Sequence, residues 1–167
     1  MSYPTLNWFR LRQGLAALPL YGPPLTFTLR TPLLSSETAR AVLDCTQRNL
    51  DRLIEEGAVW AWDIGVNFTS GRPSPRLLAL SLLAIAERKP QLNPASAEAA
   101  LDLILPRARG SLTTIQVGML MQTNRQWMIN RVARGELEVA TEHIVNGRSY
   151  NISVASIRQF LLKRLIQ

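Results

Sequence analysis

A chain of 167 residues, 47% of them hydrophobic, can bury one ordinary core or two small ones, which excludes global disorder and leaves room for one or two domains. Nineteen Lys and Arg against twelve Asp and Glu give a net charge of +7 and an isoelectric point near 10.7, a balance that favours a polyanionic partner such as nucleic acid or an anionic membrane surface. The single cysteine, Cys45, excludes an internal disulfide and cannot join the single histidine, His143, in an ordinary zinc site; no apolar stretch approaches the roughly 20 residues needed to span a bilayer.

Residues 1–33 carry Arg10, Arg12 and Arg30, no acid, and prolines at 4, 19, 23, 24 and 32. They read as a basic, extended N-terminal arm with a short helix and a strand at 25–29. Arg10 and Arg12 precede the apolar run 15–20, but that run is short for a signal peptide and no small-residue cleavage site follows, so the expected location is the cytoplasm, in association with the nucleoid.

From residue 34 the chain contains an internal repeat, because residues 34–57 align without a gap on residues 112–135. Leu34 matches Leu112, Ser36 matches Thr114, Ala39 matches Val117, Val42 matches Leu120, Leu50 matches Met128, Ile54 matches Val132 and Gly57 matches Gly135. The pattern fits two helices joined by a tight turn. Ser35 or Ser36 caps the first helix, Thr46 the second, and Gly57 supplies a left-handed stop. Residues 59–66 follow as a strand, 69–73 as a loop and 75–88 as a helical run. Trp60, Trp62, Ile64 and Val66 alternate along one strand face and either form an interface or cover the core of this first unit, the commoner outcome. Residues 89–94 read as a turn, 95–105 as a short helix capped by Asn93 or Ser96, and 106–110 as a hinge.

In the second copy Thr113 or Thr114 caps a helix whose inward face is Val117, Leu120 and Met121, and Asn124 caps the next, with Met128 and Val132 inward and Gly135 as the stop. Residues 137–144 and 149–152 then form a hairpin wing around Asn146-Gly147, a strong turn signal. Ser153 or Ser156 opens a last helix with Ile157, Phe160, Leu161 and Leu165 facing the core. The fold class is therefore mainly α (α+β), with tandem helix-turn-helix units and small β-hairpin wings: arm 1–33, first unit 34–89, linker 90–110, second unit 111–167.

Residues 112–162 resemble the excisionase and MerR-like winged helix-turn-helix domains. The resemblance is carried by Leu112-Thr113, Thr123-Asn124-Arg125 at the turn, Arg134-Gly135-Glu136-Leu137, Asn146-Gly147-Arg148 with Tyr150, and Ile157 with Phe160-Leu161. Residues 34–83 look like a more remote copy. The resemblance implies that the second helix enters the major groove, with Arg125, Gln126, Ile129 and Asn130 toward bases and Arg134, Arg148 and Tyr150 near the backbone. The sequence departs from the family where Gly-Val usually fills the turn, with Gln122-Thr123 and Asp44-Cys45, and where Arg131 takes a position that is usually apolar.

Arginine can fork to guanine, and asparagine or glutamine can pair with adenine, so Arg125, Gln126 and Asn130 carry suitable groups for base reading. Residues 112–135 contain no acid. In the first copy Gln47, Arg48 and Arg52 could read bases, and Arg72 in the loop between strand and helical run is a further DNA-binding candidate. There, however, Glu37, Asp44, Asp51, Glu55 and Glu56 outnumber Arg40, Arg48 and Arg52, so a converted scaffold or dimerisation unit is an equal reading. Trp127 opens the second recognition helix and either touches a thymine methyl or sugar or wedges between helices. Cys45 reads as a small buried residue and His143 as a strand residue of the wing.

No phosphate loop, paired-histidine motif or nucleophile elbow is present, so the expectation is a non-enzyme without cofactor or metal. The expected function is sequence-specific binding of double-stranded DNA, most simply by a transcriptional regulator whose two units could occupy grooves about 34–36 Å apart. A homodimer, or contact with recombinase or transcription machinery, would complete its partners, with no membrane involved. The competing readings are an excisionase-like recombination directionality or architectural factor, a small DNA-packaging subunit, and a protein or RNA adaptor.

Overall fold

The computed structural model describes residues 32–66, 73–105, 109–144 and 148–166. The arm up to residue 31, residues 106–108 of the expected hinge, Arg72 and the Asn146-Gly147 turn lie outside the described residues. In chain order the elements are β1 (Leu33–Ser35), α1 (Ser36–Leu43), α2 (Gln47–Glu55), β2 (Ala61–Val66), β3 (Pro73–Leu78), α3 (Ala79–Ala86), a 3₁₀ turn (Pro90–Leu92) and α4 (Ala97–Ile104). They continue with β4 (Ser111–Thr113), α5 (Thr114–Met121), α6 (Arg125–Ala133), β5 (Val139–Ile144), β6 (Arg148–Ser153), α7 (Val154–Lys163) and β7 (Leu165–Ile166).

The structure is thus mixed α/β, with two small antiparallel sheets ordered β1-β3-β2-β7 and β4-β6-β5. A short strand, two helices, a hairpin and a further helix occur twice in the same order. In both sheets the short leading strand pairs with the second strand of the hairpin: Leu34 faces Leu77, and Leu112 faces Ile152.

The local causes are capping and turn chemistry. Ser35, Thr46, Thr113, Asn124 and Ser153 each accept a bond from the backbone N–H three residues on, and Thr113 forms a reciprocal box with Gln116. Ser96 does the same for α4, while Asn93 instead receives the Ser81 hydroxyl at 2.6 Å and donates to the Ala58 carbonyl. Gly57 and Gly135, at φ +73° and +70°, end α2 and α6 in the left-handed region. At the first position of each helix-helix turn, Asp44 and Gln122 adopt φ 51° and 49°, so the turns keep one geometry in both halves.

Two sequence expectations need correction. The stretch from Pro75 is not wholly helical: Pro73–Leu78 is strand, and the helix spans only Ala79–Ala86. Leu77 and Leu78, both fully buried, pair with Leu34 and Leu33 of β1. Pro73 and Pro75 fall where β3 pairs only with β2, so a missing N–H leaves no gap on the β1 side. Leu165 is likewise not part of the last helix: α7 stops at Lys163, and Leu165–Ile166 pair with Trp62 and Ala61.

One apolar core runs through both halves, from Leu33 and Leu50 through Leu82 and Leu101 to Leu120, Met128 and Leu161. α3 is buried on all sides between residues 79 and 84, including Ser81, which is held by Asn93 and the Trp60 N–H. Trp62 and Ile64 are buried and Trp60, half-buried, packs against the core with its indole N–H on the Pro94 carbonyl, so this aromatic face covers the core. Among the described residues no helix is long and apolar enough to cross a membrane.

Candidate nucleic-acid interface

Helices α5 and α6 present the candidate surface. Asn124 accepts from the Trp127 N–H at 2.9 Å and starts α6, while Met128 and Arg131 turn inward with almost no exposed surface. At 100° per residue the opposite face consists of Gln126, Ile129, Asn130 and Ala133, with Arg125 and Arg134 at its two edges. Arg125, Gln126, Ala133 and Arg134 are exposed; Ile129 and Asn130 are half-buried. The Gln126 amide donates to Asn130 Oδ1 at 3.0 Å, which aligns two amides one turn apart. Neither α5 nor α6 contains an acid.

The other residues expected at the interface are placed as follows. Arg148 opens β6, and Tyr150 lies two residues on, half-buried, its backbone N–H and carbonyl both bonded to the Thr114 hydroxyl. Trp127 is directed away from the outer face of α6. Its indole N–H donates to the Ile64 carbonyl of β2 at 3.3 Å, and its ring meets Phe160 edge-on at 5.8 Å. On α2, Gln47 donates to Asp51 at 2.7 Å and Arg52 pairs with Glu56 at 3.7 Å, while Arg48 is exposed. Charges of both signs therefore alternate across that helix, in contrast to α6.

Sequence reasoning missed a set of contacts by which the sheet of the first half grips the second half's helix pair. Ser35 of β1 donates its N–H to Gln122 Oε1 at 3.0 Å. From β3, the Arg76 guanidinium binds the last carbonyls of α5, through Nε to Met121 at 2.7 Å and Nη2 to Gln122 at 3.0 Å. β2 supplies the Ile64 carbonyl for Trp127 and, at Gly65, a space for Arg131. A Cβ on Gly65 would lie 1.9 Å from Arg131 Nη2. Arg131 as the odd residue at an apolar position and glycine within a strand, a mark of close approach, were the available signals.

Arg131 is held there by charge. It bonds Glu136 at 2.7 Å and lies over the Trp127 ring at 5.4 Å; Arg164, over the Phe160 ring, binds the other oxygen of Glu136. Burial alone would raise the Glu136 carboxyl, but the hydrogen bond and charge of Arg131, with the charge and hydrogen bond of Arg164, outweigh it and hold the group below its ordinary value. At Cys45 burial pushes the thiol up, with Asp44 adding to the rise and Arg40 opposing it, which disfavours a reactive thiolate.

Comparisons with family models, with curated proteins and with solved structures return no significant match.

Proposed function

We propose that this chain is a sequence-specific DNA-binding protein, built as tandem winged helix-turn-helix units, in which α6 reads the major groove and the β5–β6 hairpin is the wing. The carrying observation is the outer face of α6: Arg125, Gln126, Ile129, Asn130 and Arg134 stand together on an acid-free helix pair while the opposite side is locked into the core. Arg125 supplies a fork for guanine and the aligned Gln126 and Asn130 amides suit adenine. Trp127 belongs to the inner support of the helix. The alternating charges of α2 favour a scaffold role for the first half, so the protein has one reading head. Transcriptional regulation is the simplest use of such a head.

Selection from a pool of random duplexes at about physiological salt tests this. Wild type is expected to enrich a motif, Arg125→Ala to lose one or more positions of it at a cost of about 1–3 kcal/mol, and Arg48→Ala to leave it unchanged. Absence of any enriched motif would overturn the reading, and loss of half the motif with Arg48→Ala would restore a second reading head.

A further inference from the structure

We propose that the first half is a jig that sets the orientation of α6 for base reading, with Gly65 and Arg131 as its locking pair. The inference rests on the DNA-binding reading of α6.

All three strands of the first sheet's leading part contact the second half's helix pair, and together they hold both of its helices. β1 and β3 hold the turn after α5 through Gln122 and the Met121 carbonyl. β2 holds α6 itself through Trp127 and Arg131. Trp127 and Arg131 lie four residues apart, on the flank of α6 turned from its outer face, so the grip leaves Arg125, Gln126 and Asn130 uncovered.

Gly65 is what permits the close approach. It lies at φ +144° between Asp63 and Val66, where the pairing of β2 with β3 shifts register. Arg131 Nη2 occupies the volume a side chain would take there, and Cζ would be 2.9 Å from the added Cβ. The repeat-equivalent residues in the first half are Asn49 and Leu53, in place of Trp127 and Arg131, so the lock belongs to the second half alone. A buried arginine is a poor choice for stability at an apolar position; it makes sense as a rigid, planar spacer fixed by Glu136 and Trp127. Base reading demands such fixity, because bidentate hydrogen bonds to base edges tolerate little displacement of the helix that offers them.

The test compares wild type, Gly65→Ala and Arg131→Leu, each on the motif selected by wild type and on a scrambled duplex, across a salt series. Arg131→Leu places the first half's own residue at an apolar position and keeps the fold, so it remains informative if Gly65→Ala unfolds. Far-UV circular dichroism checks that each variant is folded. The expected result is a fall of about tenfold or more in affinity for the motif, the loss of roughly one good base contact. Affinity for scrambled duplex and the salt slope should stay within about twofold of wild type, because Arg131 is not a phosphate contact. A merely structural role would lower stability and leave the ratio of motif to scrambled affinity unmoved. A folded Arg131→Leu that keeps the wild-type ratio overturns the jig while leaving DNA reading by α6 intact. A slope reduced by about one would also overturn it, by making Arg131 a phosphate ligand. If wild type itself prefers no motif, the reading of α6 and the jig fall together.

Discussion

Replacing Glu136 by Gln removes the single carboxylate shared by Arg131 and Arg164. The Arg131 side chain is only 5% exposed and its partner Glu136 26%. Removing one member of a fully buried pair costs about 3–5 kcal/mol, because the other charge is left in a poor solvent. The partial exposure of Glu136 and the acceptor oxygen that Gln retains reduce this to about 2–3 kcal/mol, a fall in melting temperature of about 5–10 °C for a chain of this size. The pH dependence follows in sign. The carboxyl is held below its ordinary value in the fold, so its contribution is complete above the unfolded value of about 4.3 and is lost as pH falls through the lower folded value. Urea midpoints of wild type and Glu136→Gln should therefore differ fully at pH 7 and pH 5.5, then converge toward pH 3.5 as wild type loses what the variant already lacks. A gap under about 0.5 kcal/mol at pH 7, or one that persists undiminished into acid, would refute the assignment of Glu136 as the hub of this network.

The two left-handed turn residues should respond oppositely to glycine. Asp44→Gly relieves a strained φ and removes a negative charge from the C-terminal end of α1, and should raise stability by about 0.5–1 kcal/mol in urea titrations. Gln122→Gly relieves the same strain but strands the Ser35 N–H, a loss of about 1–3 kcal/mol, so its net effect should be destabilising. Met128→Ala, at a position almost wholly buried beneath α6, should cost about 2–5 kcal/mol in the same assay through the cavity it leaves.

Much of each half is written in short-range chemistry. Ser35, Thr46, Thr113, Asn124 and Ser153 announce helix starts because a short side chain can satisfy a free N–H only at that place, and Gly57 and Gly135 announce the stops. The outer face of α6 follows from the same periodicity, since Met128 must point inward and Gln126 and Asn130, nearly opposite it on the helix, then cannot. Three-residue strands such as Leu33–Ser35 and Ser111–Thr113 are too short to show alternation, and Pro75 to Leu78 reads as helical because only its pairing with β2 and β1 makes it extended. What tertiary structure alone decided is how the halves meet. Arg76 reaches a carbonyl 45 residues away, Trp127 one 63 residues away, and Gly65 admits Arg131 across a similar distance. The repeat, the helix pairs and the outer face of α6 are local and periodic, and the sequence by itself determined them; the grip of one half on the other depends on which surfaces come together, and no periodicity encodes that.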